Sequence, residues 1–176
     1  MKIILIGFMG TGKTTVGKLL AANLGYDFLD TDDLIEAREG KTVSQIFATD
    51  GEAYFRKLEH KLARELSKAD SLVIASGGGF ALNRENMEVL RSNGLVVSLN
   101  ASPEVIYQRV KHESHRPLLA VKNPLPQIEK LLSYRAKYYQ EADLMVDTSR
   151  KEPGDIVKEI LGELAGRGVF NGRNRN

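Results

Sequence analysis

"KIILIGFMGTGKTT", residues 2–15, decides the fold. Ile3 to Ile6 form an unbroken aliphatic run, and such a run suits a strand covered on both faces. The chain then turns through Gly7, Gly10 and Gly12 and reaches Lys13 and Thr14. Gly7-Phe8-Met9-Gly10-Thr11-Gly12-Lys13-Thr14 matches G-x-x-x-x-G-K-[ST], placed between a strand and a helix as that motif requires. Its glycines let backbone N–H groups converge on phosphate oxygens without interference from Cβ atoms. The helix starting at Lys13 adds its N-terminal dipole. Lys13 is expected to reach the β- and γ-phosphates of a nucleoside triphosphate, and Thr14 Oγ1 to ligate Mg²⁺. Gly10, Thr11, Gly12 and Thr15 complete the expected ATP site. The motif places a phosphoryl donor and leaves the acceptor open.

Working outward, strands and helices alternate. Strands are expected at 2–7, 26–31, 71–76, 95–100 and 143–148, and helices at 13–25, 32–39, 43–51, 52–69, 83–94, 102–110, 125–142 and 153–166. This alternation implies an α/β fold, a parallel sheet with helices on both faces. Ligands in such sheets bind at the carboxyl ends of the strands. The site is therefore expected at Gly7–Thr15, Asp30–Asp32 and Gly77–Gly79. Residues 1–166 read as a single domain. Residues 111–124, "KHESHRPLLAVKNP", are polar and punctuated and read as a mobile lid. Residues 167–176 have no periodicity and read as a flexible tail.

Composition narrows the function classes. The 176 residues are 42% apolar and 27% charged, which suits one soluble domain with a full core. Net charge is +2, too slight for a dedicated nucleic-acid binder. Arg167, Arg173 and Arg175 are too few and scattered to make the tail one. No apolar stretch approaches the roughly 18 residues of a membrane span. The N-terminal apolar run is too short for a signal peptide and reads as the first strand. There is no cysteine, which excludes disulfides and thiolate chemistry and suits the cytoplasm.

Three further patterns bear on the acceptor. In "DTDD", residues 30–33, Asp30 and Asp32 would lie on one side of an extended chain, about 7 Å apart. One could support Mg²⁺ through water and the other accept a proton from an attacking hydroxyl, while Asp33 reads as a solvated helix-start residue. In "GGG", residues 77–79, glycines would let backbone approach a bound molecule closely. Strand three ends in Ser76 rather than an acidic residue, which makes Asp30 the better support for the metal. Among the arginines, Arg116 falls in the expected lid, where it could neutralise charge on a transferring phosphoryl group. Arg56 and Arg135 sit among aromatics on helices; guanidinium forks bind carboxylates, but spacing does not pair these two. His60 reads as surface, His112 and His115 lack spaced metal partners, and Tyr134, Tyr138 and Tyr139 read as packing.

In this order, "GFMGTGKTT", "FLDTD", "IFATDGEAYFRKLE", "SGGG", "RPLL", "YRAKYY" and "VDTSRKEP" resemble the shikimate kinases, within the nucleoside-monophosphate-kinase-like group of P-loop proteins. The resemblance covers residues 1–165. It implies a five-stranded parallel sheet in the order 2-3-1-4-5 and ATP-dependent phosphorylation of the 3-hydroxyl of shikimate, in aromatic amino-acid biosynthesis. It implies that Asp32 binds the ring hydroxyls and orients or deprotonates the attacking one. Arg56 and Arg135 would clamp the shikimate carboxylate, with Gly77, Gly78 and Gly79 contacting substrate. Phe47 and Phe55 would be apolar walls, and Glu59 would orient the arginine region. The helices at 32–60 would thus carry much of the substrate site. Arg116 would close over the phosphates, and Arg109 and Pro153 would flank the adenine. Expected partners are ATP and shikimate, with Mg²⁺ as cofactor, acting on a cytoplasmic monomer without nucleic acid or membrane.

Two other classes remain open on the residues alone. One is a P-loop kinase for gluconate or a nucleoside monophosphate; the latter needs phosphate-binding basic residues where the carboxylate clamp is expected. The other is a nucleotide-dependent binding module without catalysis.

Overall fold

The computed structural model describes residues 1–112 and 123–168. β1 (Lys2–Ile6), β2 (Asp27–Asp30), β3 (Leu72–Ala75), β4 (Gly94–Asn100) and β5 (Leu144–Asp147) form one sheet in the order β2-β3-β1-β4-β5. Every pairing is parallel, and β1 lies in the middle, with Ile3 opposite Val73 on one side and Leu95 on the other. The expected architecture and strand order are both observed.

The aliphatic run of β1 is explained by its position. Ile3 and Leu5 point to one face, where they meet Val16 and Leu20 of α1 (Lys13–Leu24) and Ile156 and Ile160 of α8 (Pro153–Gly166). Ile4 and Ile6 point to the other. There they join residues of α2 (Thr31–Glu39), α3 (Val43–Thr49), α4 (Glu52–Leu66), α5 (Arg84–Arg91), α6 (Pro103–Val110) and α7 (Pro124–Tyr139). A side chain alternates faces at each residue of a strand, so a strand buried on both faces needs apolar residues throughout. Among the described residues, no helix is long and apolar enough to cross a membrane.

Local signals set the helix starts. Thr42 and Gln45 form a reciprocal capping box at α3, and Ser102 caps α6 ahead of Pro103. Several boundaries differ from expectation. Thr31, expected in the second strand, already belongs to α2, because the Asp30 side chain accepts from Asp32 N and caps that helix. Gly94, expected to end a helix, is the first residue of β4 and pairs with Lys2. A short 3₁₀ turn, Phe80–Leu82, follows the three glycines and buries Phe80 fully. The expected lid and tail fall mostly outside the described residues.

Lys2 is buried within the central strand, and its ammonium donates to Ser67 O at 2.8 Å, just past the end of α4. A cation at a helix C-terminus meets orphan carbonyls there. This contact fastens α4, which carries Arg56 and Glu59, to the sheet.

Candidate active site

A cavity of about 240 Å³ opens at the carboxyl ends of β1, β2 and β3, lined by the glycine-rich loop, Asp30, Asp32 and Ser76–Gly78. All three expected segments therefore converge. Gly7 begins the loop at φ 140°, and a Cβ there would stand 2.2 Å from Leu99 O, so only glycine fits. The loop ends at Gly12, and α1 begins at Lys13. Lys13 Nζ donates to Gly7 O at 2.9 Å and Phe8 O at 2.8 Å, folded back over the loop it serves.

Asp30 is the junction of the site. Its Oδ2 accepts from Thr14 Oγ1 at 2.8 Å, and its Oδ1 accepts from Asp32 N at 3.0 Å. Thr14 and Asp30, the two residues expected to support Mg²⁺, are thus hydrogen-bonded neighbours. The expected extended spacing of Asp30 and Asp32 is not: Asp32 lies in the first turn of α2, and capping by Asp30 sets its position. Thr14 Oγ1 and the Asp30 carboxylate are hard oxygen donors, few in number, beside a phosphate-binding loop. That set fits Mg²⁺, which keeps several waters and phosphate oxygens as ligands. Asp33 is exposed, as expected.

The three glycines make one wall, and each leaves room for a different side chain. A Cβ on Gly77 would stand 2.3 Å from Asp32 Oδ1. On Gly78 it would approach Arg135 Nη1 at 3.5 Å, and on Gly79 both Arg56 terminal nitrogens at 2.6 Å. The turn therefore brings together Asp32 from α2, Arg56 from α4 and Arg135 from α7. It is held from behind: Gly77 N donates to buried Thr31 Oγ1 at 2.9 Å, and Gly78 O accepts from Arg135 Nη1 at 3.1 Å and Tyr139 Oη at 2.8 Å. Burial raises the Tyr139 phenol's pKa, which keeps it a donor at neutral pH.

Aromatic rings shape the space around the guanidinium groups. Arg56 lies 6.0 Å from the Phe47 ring centre and 5.6 Å from that of Phe55, and those rings are 5.1 Å apart. Arg135 lies 5.3 Å from the centre of Phe8, a loop residue at a position the motif leaves unspecified. Arg56 also reaches two carboxylates. Its Nη1 is 2.7 Å from Glu59 Oε2, and its Nη2 is 2.9 Å from Glu52 Oε1. Glu59 is only 1% exposed; burial pushes its pKa up to about 7, against the opposing pull of Arg56.

Arg109 donates to Gly10 O at 3.1 Å and to Thr148 O at 2.7 Å, joining the loop to the end of β5. Thr148 is fully buried, and its hydroxyl lies 3.1 Å from Thr11 O and 3.0 Å from Asn100 O. Pro153 is the first residue of α8. Arg116, His115 and most of the lid lie outside the described residues. His60, expected on the surface, is half-buried, with Nδ1 2.9 Å from Asn86 Oδ1. Tyr134, expected to pack, is 60% exposed. Thr31, Phe8, Tyr139 and Thr148 were not legible as site residues: each acts through a contact distant in sequence. All four fall inside quoted motifs, Phe8 in "GFMGTGKTT", Thr31 in "FLDTD", Tyr139 in "YRAKYY" and Thr148 in "VDTSRKEP", but no motif states these contacts.

A parallel sheet of this order, with a phosphate-binding loop after its central strand and a second polar wall beside it, defines a P-loop kinase-like protein. The comparisons with known proteins narrow this class. A family model described as shikimate kinase matches residues 9–165. The shikimate kinase of Thermodesulfovibrio yellowstonii is 44% identical over 161 residues, 92% of this chain and 93% of that protein. The solved shikimate kinase from Acinetobacter baumannii, in complex with shikimate, is 39% identical, with a TM-score of 0.90, over 94% of this chain and 93% of that one. A gluconokinase from Sinorhizobium meliloti, 22% identical with a TM-score of 0.62 over 98% of this chain and 97% of that one, shares the fold alone. The chain belongs to the shikimate kinase family.

Proposed function

We propose that this protein transfers the γ-phosphoryl group of ATP to the 3-hydroxyl of shikimate, releasing ADP and shikimate 3-phosphate. Membership of the family supports the acceptor. The observation that carries the reading is the glycine wall at 77–79, which seats one carboxylate and two guanidinium groups around one end of the loop cavity.

Phosphoryl transfer depends on positioning and charge stabilisation more than on covalent catalysis. Arg56 and Arg135 grip the acceptor's carboxylate, and Phe47 and Phe55 bound its ring. Asp32 holds the attacking hydroxyl and receives its proton as oxygen bonds to the γ-phosphorus. The bond from that phosphorus to the bridging oxygen of ADP breaks. Lys13 leaves the loop carbonyls for the β- and γ-phosphate oxygens. Mg²⁺, held by Thr14 directly and by Asp30 through water, would neutralise charge developing on those oxygens. Arg109 and Pro153 flank the adenine, and Arg116 adds positive charge over the phosphates. The cysteine-free composition suits a reducing compartment such as the cytoplasm.

The test is coupled ADP release with shikimate, gluconate and nucleoside monophosphates as acceptors. Turnover with shikimate is expected. Turnover with another acceptor and none with shikimate would overturn the reading. Asp32→Asn is expected to abolish transfer while ATP still binds, which separates a kinase from a nucleotide-binding module.

A further inference from the structure

Arg56 is already engaged before any acceptor arrives. Its Nη1 lies 2.7 Å from Glu59 Oε2, while Nε and Nη2 lie 3.2 and 2.9 Å from Glu52 Oε1. An acceptor carboxylate at Arg56 would be the third anion on one guanidinium. Arg135 adds one cation nearby, which leaves an excess of negative charge around the pair. The two resident carboxylates have different ways out. Glu52 is 64% exposed and can swing into water. Glu59 is 1% exposed and cannot swing out in the same way, and its Oε1 is buried without a hydrogen-bond partner among the described residues. A buried carboxylate that loses its share of a cation lowers its free energy by binding a proton. A protonated Oε1 would also become a donor.

We propose that Glu59 takes up a proton when the acceptor's carboxylate reaches Arg56, so that the anion and a proton bind together. This rests on the reading that Arg56 receives that carboxylate. Burial and like charge around Glu59 outweigh the pull of Arg56. On its own helix stand Arg56 and Glu52. From α2, Asp32 adds like charge. From α3 comes Phe47, which cannot ionise, and α5 directs Glu85 to His60 instead. The glycine wall brings no ionisable side chain, and the Arg135 guanidinium bonds Gly78 O. Glu59 before binding has a pKa of about 7, so at neutral pH and above a good share of the free protein has a proton still to take up. The consequence is an acceptor affinity that falls with rising pH, by up to about tenfold per unit, the limit for one linked proton.

Isothermal titration calorimetry of the full chain with shikimate decides this. Titrations in buffers of unequal ionisation enthalpy, such as phosphate and Tris, count the protons taken up. Between about pH 7 and 8 the wild type should take up a substantial fraction of one proton per shikimate, falling toward zero below about pH 6. Glu59→Gln should bind shikimate with no uptake. Glu52→Gln and His60→Gln should keep it, which decides the matter even if Glu59→Gln fails to fold. Heats independent of buffer in the wild type, equal uptake in Glu59→Gln, or loss of uptake in Glu52→Gln or His60→Gln would overturn the assignment to Glu59. No binding of shikimate under any condition would overturn the acceptor reading itself, a distinct outcome from binding without proton uptake.

Discussion

Thr14 Oγ1 donates to Asp30 Oδ2 at 2.8 Å, while the other oxygen of Asp30 caps the helix that carries Asp32. One carboxylate thus sets the spacing between the donor loop and the acceptor side. Asp30→Asn keeps a capping oxygen but removes the charge. Turnover is expected to fall about 10- to 100-fold, as for residues that orient a metal site, with a higher Mg²⁺ requirement. Asp30→Ala should add about 1 kcal/mol of destabilisation from the lost cap. Turnover against Mg²⁺ concentration, with thermal unfolding beside it, measures both; an unchanged Mg²⁺ requirement would remove Asp30 from the metal site.

Gly79 is the place where Arg56 is most sensitive to its wall. A new Cβ would stand 2.6 Å from both terminal nitrogens. Gly79→Ala is therefore expected to raise the KM for shikimate about tenfold or more, roughly 1.4 kcal/mol, and to leave the KM for ATP nearly unchanged. Steady-state kinetics in both substrates check the split. A matching rise in both KM values would point to a collapsed cavity instead.

Thr148 should show the opposite split. Its buried hydroxyl serves Thr11 O, Asn100 O and Arg109, all on the nucleotide side. Thr148→Val keeps the shape and removes the polar group; Asn100 O keeps the Thr148 backbone N–H, while Thr11 O loses the hydroxyl and Arg109 loses an acceptor, at a cost of about 1–3 kcal/mol. The KM for ATP should rise while that for shikimate holds. Nucleotide titration of the variant, with chemical denaturation for stability, reads out both effects.

Lys2 is a stability residue rather than a catalytic one. Lys2→Met preserves the buried stem and deletes the donor to Ser67 O. Stability should fall by about 1–3 kcal/mol in urea unfolding, with kcat in the folded protein near that of the wild type. An unchanged midpoint would mean that water replaces the ammonium at no cost.

Glu59 should leave a signature in the pH dependence of folding. Its ordinary pKa of 4.5 is raised to about 7 in the folded chain, chiefly by burial. Between those values the folded state holds a proton that the unfolded state releases. Stability therefore falls as pH rises through that window, by at most about 1.4 kcal/mol per unit for one group. The difference between wild type and Glu59→Gln, measured by denaturant unfolding from about pH 5 to 7.5, isolates this effect. A flat difference would show that Glu59 ionises as in water.

The donor half of the site was legible because its parts are contiguous. A phosphate-binding loop must join a strand to a helix, so the motif, its glycines and Lys13 announce both the chemistry and the central position of β1. The alternation of apolar runs specified a parallel sheet for the same local reason. Asp32 departs from the extended register because the Asp30 cap ends the strand one residue early.

The acceptor half is assembled across the chain. Arg56 and Arg135 are 79 positions apart in sequence, and nothing in either helix states that both will face one glycine turn. Phe8, Thr31, Tyr139 and Thr148 join the site through long-range contacts that carry no periodic signal. By itself the sequence determined the sheet, the loop and the family, since these follow from short-range pattern and ordered motifs. Only the tertiary structure decided which side chain each glycine admits and that Glu59 is enclosed with an oxygen left over. Both depend on the space remaining once the helices have closed over the sheet.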